Sequence, residues 1–353
     1  MPVTIKDVAK ASGMSVPAVC QILNGKASYR AESIKRVNDA VRRLGYQPNA
    51  HARAMKQGRF GSCALVLPPG HEAAWLPRGL LKGLESTLSA SASDTHLVIA
   101  HLPDLAQSPT DKAPKILSQW MADGLIIVDS PSIPSSTLTL LKRNRMPCVW
   151  LNIDHPFDAV RPDDRAAGLA ATEILLKRGH RSIAFVDYSR EEGLPSWHYS
   201  NVHRWEGYEQ AMIAAGLHPR FIGGNIQEGA QEFSRVWLRR KDRPTAVVVY
   251  EGGTVAPILL GMAYEGLHPA RDLSLITFCD DTWVGRMSLD ALVIPGRAIG
   301  EAAALMLQTK IAKRVRCPTQ PIAMSYSAGS TVGAPQEGAA TTLNARARGK
   351  RAT

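Results

Sequence analysis

The chain has 353 residues, 45% hydrophobic and 21% charged, with a formal charge of +11. That length and apolar fraction suit two or three domains with a sizeable core, and they exclude a disordered chain, a collagen repeat and a small disulfide scaffold. No apolar run reaches the ~18–20 residues that span a bilayer, the charges within Met1–Lys10 lead us to expect no export, and five scattered cysteines without C-x-x-C spacing fit reduced thiols in the cytoplasm.

The charge is unevenly spread. Residues 1–60 hold 11 Lys/Arg against 3 Asp/Glu, residues 334–353 hold 4 against 1, and residues 61–333 hold 27 of each. A basic head on a neutral body points to a polyanion, either nucleic acid or an anionic membrane surface. Within the head, Thr4-Ile5-Lys6-Asp7 opens a helix like a capping box, and Ile5, Val8, Ala9 and Ser12 share one face. Gly13 suits a left-handed turn, and Ser15 can cap a second helix that tolerates Pro17 in its first turn. Val19, Ile22 and Leu23 form the apolar stripe of that helix. A third helix is expected over residues 32–44 through Ile34, Val37, Ala40, Val41 and Leu44, ending at Gly45. Three helices, the first two joined by a tight glycine turn, make a helix-turn-helix pattern whose second helix can enter a major groove. A plain three-helix bundle would share the apolar spacing, but it would not account for the concentrated positive charge. The basic residues flank a turn and a helix instead of forming one amphipathic face, which argues against a membrane.

Val3-Thr4-Ile5-Lys6-Asp7-Val8-Ala9-Lys10-Ala11-Ser12-Gly13-Met14-Ser15, Leu23-Asn24-Gly25 and Leu44-Gly45-Tyr46-Gln47-Pro48-Asn49 together resemble the headpiece of the LacI/GalR (lactose-repressor) family of bacterial transcriptional regulators. The resemblance implies base reading by Val16, Pro17 and Gln21, and backbone contacts from Thr4, Ser15, Asn24, Arg30 and Ser33. Gln21 stands where the family usually has arginine. Glutamine matches adenine where arginine matches guanine, so an A·T pair is expected in place of the usual G·C. Residues 49–56 read as a further short helix, capped by Asn49 and too short to be stable alone in water. The resemblance makes this a hinge that pairs with its twin in a dimer and enters the minor groove through Asn49, Ala52 and Met55, with Met55 as the wedge. From the residues alone, a passive linker is equally open.

From Gly61 onward, apolar runs alternate with helical stretches. Strands are expected at Cys63–Leu67, Leu97–Ala100, Leu125–Val128, Cys148–Leu151, Ile183–Val186, Ala246–Val249 and Leu273–Phe278. Helices are expected near 76–91, 112–122, 135–144, 164–178, 203–215, 230–240, 254–265 and 298–312. The alternation predicts an α/β body of parallel sheets in two lobes. Ligands of such sheets sit at the carboxyl ends of strands, which here carry Asp129-Ser130, Asp154, Asp187-Tyr188, Glu251 and Asp280-Asp281.

The body, to about residue 330, resembles the family's periplasmic-binding-protein-like effector domain through Ala122-Asp123-Gly124-Leu125-Ile126, Arg178-Gly179-His180-Arg181-Ser182-Ile183-Ala184-Phe185, Arg204-Trp205-Glu206-Gly207-Tyr208, Arg243-Pro244-Thr245-Ala246 and Cys279-Asp280-Asp281-Thr282. This implies a headpiece over 1–47, a hinge over 48–60, a core over 61–333 and a basic tail over 334–353. Lobe 1 would hold about 61–160 and 291–318, and lobe 2 about 161–290 and 319–333. The implied effector is a small polar metabolite, a sugar or sugar derivative, lying between the lobes. Its implied contacts are Arg204, a planar donor fork for neighbouring oxygens, with Asp163 and Asp280 or its neighbour Asp281; Trp75, Trp197 and Tyr199, read as loop residues, are candidates for an aromatic plate against a sugar's C–H face. Glu251-Gly252 and Cys279 replace the family's usual residues in that pocket.

No phosphate-loop, zinc-protease, nucleophile-elbow or dinucleotide motif is present, so no catalytic residue, metal or cofactor is expected. Two alternatives to an effector-controlled regulator stay open: an effector-independent architectural DNA-binding protein, and an enzyme with an accessory DNA-binding head. The charge distribution carries a direct prediction. DNA affinity of the full chain should fall steeply with added salt, and a truncation to residues 61–353 should lose it, as read by fluorescence anisotropy on operator DNA across a salt series.

Overall fold

A computed structural model describes residues 3–23, 29–47, 60–68, 76–90, 95–102, 122–128, 139, 141–189, 198–224, 226 and 229–336. Asn24, Asn49, Ala52, Met55, Trp75 and Trp197 lie outside these residues, as do all but the last residue of the helix expected near 112–122 and half of the one near 135–144. The chain divides into two compact units, Met1–Gly61 and Ser62–Thr353. Among the described residues no helix is long and apolar enough to cross a membrane.

The first unit contains α1 (Ile5–Ser12), α2 (Val16–Leu23) and α3 (Ala31–Leu44). Thr4 donates its backbone N–H and its hydroxyl to the Asp7 carboxylate, at 2.9 and 2.7 Å. Those two bonds, the backbone one first, hold the Asp7 pKa below its ordinary value. Gly13 ends α1 at φ 67°, the left-handed conformation a glycine takes at no steric cost. Ser15 Oγ accepts from the Ala18 N–H at 3.3 Å and so caps α2. The small core is Val8, Ala9, Val19, Val37 and Ala40, with Ile5, Ile22, Leu23, Val41 and Leu44 packed around it. Ile34, expected on the apolar stripe of α3, is instead 37% exposed.

The second unit is built from two parallel sheets. In chain order its elements are β1 (Ser62–Leu67), α4 (Leu80–Ser89), β2 (His96–His101), β3 (Gly124–Val128), β4 (Cys148–Leu151), β5 (Ala159–Pro162), α5 (Asp164–Lys177), β6 (Ile183–Asp187), α6 (Tyr199–Ala214) and β7 (Phe221–Gly223). They continue with α7 (Ala230–Leu238), β8 (Ala246–Val249), α8 (Gly252–Tyr264), β9 (Ser274–Cys279), α9 (Asp281–Met287), β10 (Asp290–Val293), α10 (Gly296–Lys313), β11 (Gln320–Ile322) and β12 (Ser325–Ser327). The first sheet runs β11-β5-β4-β3-β1-β2 and the second β12-β10-β9-β8-β6-β7. Every pairing is parallel except β10 with β12. Strands β3, β6, β8 and β9 are buried along their whole length, because helices cover both faces of such sheets.

The chain passes between lobes after Pro162, after Val293 and after Ile322, a few residues later each time than the expected 160, 291 and 319. Strand Gln320–Ile322 therefore belongs to lobe 1, where the sequence suggested lobe 2. The reason is that β5, β10 and β11 finish their pairing before each crossing, and their mixed sequences (Ala-Val-Arg-Pro, Asp-Ala-Leu-Val, Gln-Pro-Ile) carry no strong apolar run. The thiols of Cys63 and Cys148, both pushed up to about 12 by burial, are held as inert neutral groups.

Lobe 2 depends on the close contact of α5 with α6. A Cβ on Gly168 would lie 2.2 Å from the Arg204 carbonyl oxygen, and one on Gly207 would lie 2.2 Å from that of Arg165. The helices thus meet backbone to backbone, and only glycine permits the approach. Gly168→Ala should force the helices apart and cost about 1–3 kcal/mol of stability, measured by urea unfolding of the full chain.

Candidate functional site

The cleft between the lobes holds a cavity of about 400 Å³, within the ~300–1,000 Å³ range of small-ligand sites. It opens at the carboxyl ends of β3, β4, β8 and β9, as parallel sheets dictate. The lobe 1 wall is apolar among the described residues: Leu76, Pro77 and Leu80 at the start of α4, Val128, Leu151, Pro162 and Ile299, with Asn152 as its polar member. The lobe 2 wall is polar: His198, Ser200 and Arg204 from the start of α6, and Tyr250 and Glu251 after β8, with the Phe278 ring beneath.

Arg204 is the fixed point of that wall. It is 5% exposed, its Nε donates to Asp164 Oδ1 at 2.8 Å, and its Nη1 donates to the Tyr250 carbonyl at 2.7 Å. Its guanidinium lies over the Phe278 and Tyr250 rings, 4.6 and 5.0 Å from their centroids, a favourable placement for a desolvated cation. Burial works against the charge, but Asp164 first and Tyr250 next outweigh it, so the Arg204 pKa is raised. Desolvation in the cleft, and then the Asp187 carboxylate, raise Glu251. Ser200 Oγ lies 2.9 Å from the Tyr250 hydroxyl and 2.7 Å from His198 Nδ1. Asn152 joins the two lobes. Its Nδ2 is 3.0 Å from His198 Nε2, and its Oδ1 accepts from the Tyr199 hydroxyl at 3.1 Å.

The structure places Arg204 in the cavity, where the sequence put it. Asp163 has a different position from the one expected: it caps α5 by accepting from the Ala166 N–H at 3.2 Å. Its neighbour Asp164, fully buried, is the carboxylate that meets Arg204. Asp280, also expected at the ligand, is not among the residues lining the cavity. His198, Ser200, Tyr250 and Asn152 were missed. Glu251 had a signal in its place at a strand end, but nothing local marks a histidine or serine at a helix start as a cleft residue.

In the first unit, Val16, Pro17 and Gln21 all lie exposed on α2, Pro17 and Gln21 one turn apart. Thr4, Ser15 and Arg30 are exposed and Ser33 is half-buried. The amide oxygen of Gln21 accepts from the Tyr29 hydroxyl at 2.7 Å.

These features match known proteins at both ends of the chain. The model of the bacterial regulatory proteins of the lacI family matches residues 4–49, and that of the periplasmic binding protein-like domain matches residues 172–332. The chain carries a lacI-family domain over residues 4–49. It is a DNA-binding transcriptional regulator. Catabolite control protein A of Priestia megaterium is 27% identical over 323 residues, covering 88% of this chain and 92% of that relative. The HTH-type transcriptional regulator MalR of Streptococcus pneumoniae is 26% identical over 318 residues, covering 83% and 92%. A crystal structure of the lac repressor dimer bound to operator and the anti-inducer ONPF superposes with a TM-score of 0.77 at 18% identity, covering 95% of this chain and all of that one. This last likeness is one of fold. It agrees with the expected helical head and two-lobed parallel α/β core.

Two predictions come from the cleft. Arg204→Ala leaves Asp164 charged and unpaired in the interior, so it should cost about 3–5 kcal/mol of stability, and a second change, Asp164→Asn, should return much of it in urea unfolding. Burial lowers the pKa of His180 and of His198 below the ordinary value of 6.5. The unfolded chain therefore takes up protons first, and these two groups withdraw stability as pH falls below 6.5 toward their native values. Replacing His180 with Asn should flatten the slope of unfolding free energy between pH 7.5 and 5.5.

Proposed function

We propose that this chain is an operator-binding repressor controlled by a small polar metabolite, a sugar or sugar derivative, held between the lobes of its core. The observation that carries this reading is the cavity itself, with one apolar wall and one wall of hydrogen-bonding groups around a buried arginine. A sugar has the same two aspects, a C–H face that packs on apolar groups and hydroxyls that need donors and acceptors. Arg204, Ser200, His198 and Glu251 would meet the hydroxyls, and Leu76, Leu80 and Val128 the C–H face. The relatives named as transcriptional regulators support a binding role in place of catalysis.

The proposed organisation is a headpiece over 1–47, a hinge over 48–60, a core over 61–333 and a tail over 334–353. The chain would act in the cytoplasm as a homodimer on a near-palindromic site, with Asn49, Ala52 and Met55 at the minor groove. Exposed apolar side chains on the core, Leu260 at 52% and Tyr264 at 68% on α8, support a partner surface there.

The test pairs a metabolite screen with a DNA measurement. A true effector at 100 times its dissociation constant should stabilise the chain by ~2.7 kcal/mol and change operator affinity. Ser200→Ala and Glu251→Gln keep the buried Arg204–Asp164 pair, and they should weaken ligand binding while leaving ligand-free operator binding unchanged. A ligand that binds the cleft without altering operator affinity would argue against the regulatory reading.

A further inference from the structure

The headpiece contains a side-chain pair that the reading of Gln21 leaves unused. Tyr29 comes just before α3, its ring half-buried and its hydroxyl 2.7 Å from Gln21 Oε1. The acceptor is an amide oxygen, so the phenol must be the donor. With the phenol as donor, Oε1 lies toward Tyr29 and Nε2 away from it. The bond also removes rotamer freedom that an unpinned glutamine would give up on contact. One lone pair of Oε1 is taken, and what remains is an acceptor beside a donor. That combination complements the N6 donor and N7 acceptor of adenine.

We propose that Tyr29 is a specificity-determining positioning residue, whose hydroxyl holds Gln21 in the orientation that reads an adenine in the major groove. The proposal rests on the reading of the headpiece as operator-binding and of Gln21 as a base reader. It also makes the two residues a matched pair. An arginine at position 21 has no acceptor for a phenol, so it cannot take the bond that Tyr29 donates here.

The experiment is selection from a randomised duplex library with the full chain, followed by titration of the winning site and its single-base variants. Wild type should prefer A·T over G·C at one position of each half-site by about tenfold. Tyr29→Phe keeps the ring and removes the hydroxyl. It should reduce that preference by about two- to tenfold while leaving the salt dependence of binding unchanged. In a Gln21→Arg background, Tyr29→Phe should not alter the A·T-over-G·C discrimination as it does in wild type, because the phenol-to-amide bond does not exist there. The proposal is overturned if Tyr29→Phe leaves the wild-type preference intact, or if it shifts preferences equally in the Gln21→Arg background. Gln21→Ala separates the two layers. If it alters a base preference and Tyr29→Phe does not, only the role of Tyr29 falls. If it alters none, the base-reading role of Gln21 falls and that of Tyr29 with it.

Discussion

The buried pair of Arg204 and Asp164 organises the core. Taking two charges out of water costs several kcal/mol per ion, and only close geometry with further hydrogen bonds offsets that loss. Each partner therefore has to be placed by other parts of the chain. Asp164 is set at the first turn of α5 by the helix cap on Asp163, immediately after the chain leaves lobe 1. Arg204 reaches it because glycines at 168 and 207 let α5 and α6 touch backbone to backbone. The Tyr250 carbonyl and the Phe278 ring, at the ends of two neighbouring strands, complete the setting. A guanidinium so restrained is part of the cleft wall before any ligand arrives, with no rotamer freedom left to lose on binding.

Much of this architecture was legible as hydrophobic pattern. Cys148–Leu151 and Ala246–Val249 are observed with the bounds expected of them, because continuous apolar runs have one stable setting, the middle of a covered sheet. The strands that escaped notice are short, and three lie at edges, Phe221–Gly223, Gln320–Ile322 and Ser325–Ser327, while Ala159–Pro162 lies one strand in. An edge strand gains its stability from its neighbour, and its own side chains need no pattern. Asp290–Val293 was missed for a related reason, since it opens with an aspartate whose carboxylate is satisfied by Thr331 and Val332 far along the chain.

The site was legible in its anchor and not in its surroundings. Arg204 sits in a motif that could be matched as a string. The choice between Asp163 and Asp164 depends on which of two adjacent carboxylates turns inward, and helix geometry at an N-terminus gives one of them the cap. His198, Ser200 and Tyr250 are joined by hydrogen bonds that close over 50 residues of sequence. No local pattern encodes such a bond. In the headpiece the reverse holds. The capping box, the glycine turn and the exposed face of α2 are all short-range features, and the sequence displayed each of them.

The three passages between lobes have a consequence for how the molecule is made. Neither lobe is continuous in sequence: lobe 1 waits for α10 and β11, and lobe 2 waits for β10 and β12. The sheet that begins at Ser62 receives its last strand at Ile322, some 260 residues later. During synthesis at about 5–20 residues per second, lobe 1 therefore spends many seconds as an unfinished sheet with β5 as an open edge. The headpiece, whose contacts are all local, has no such delay. A polypeptide interrupted between residues 62 and 320 would carry a complete first unit on a body in which neither lobe can close.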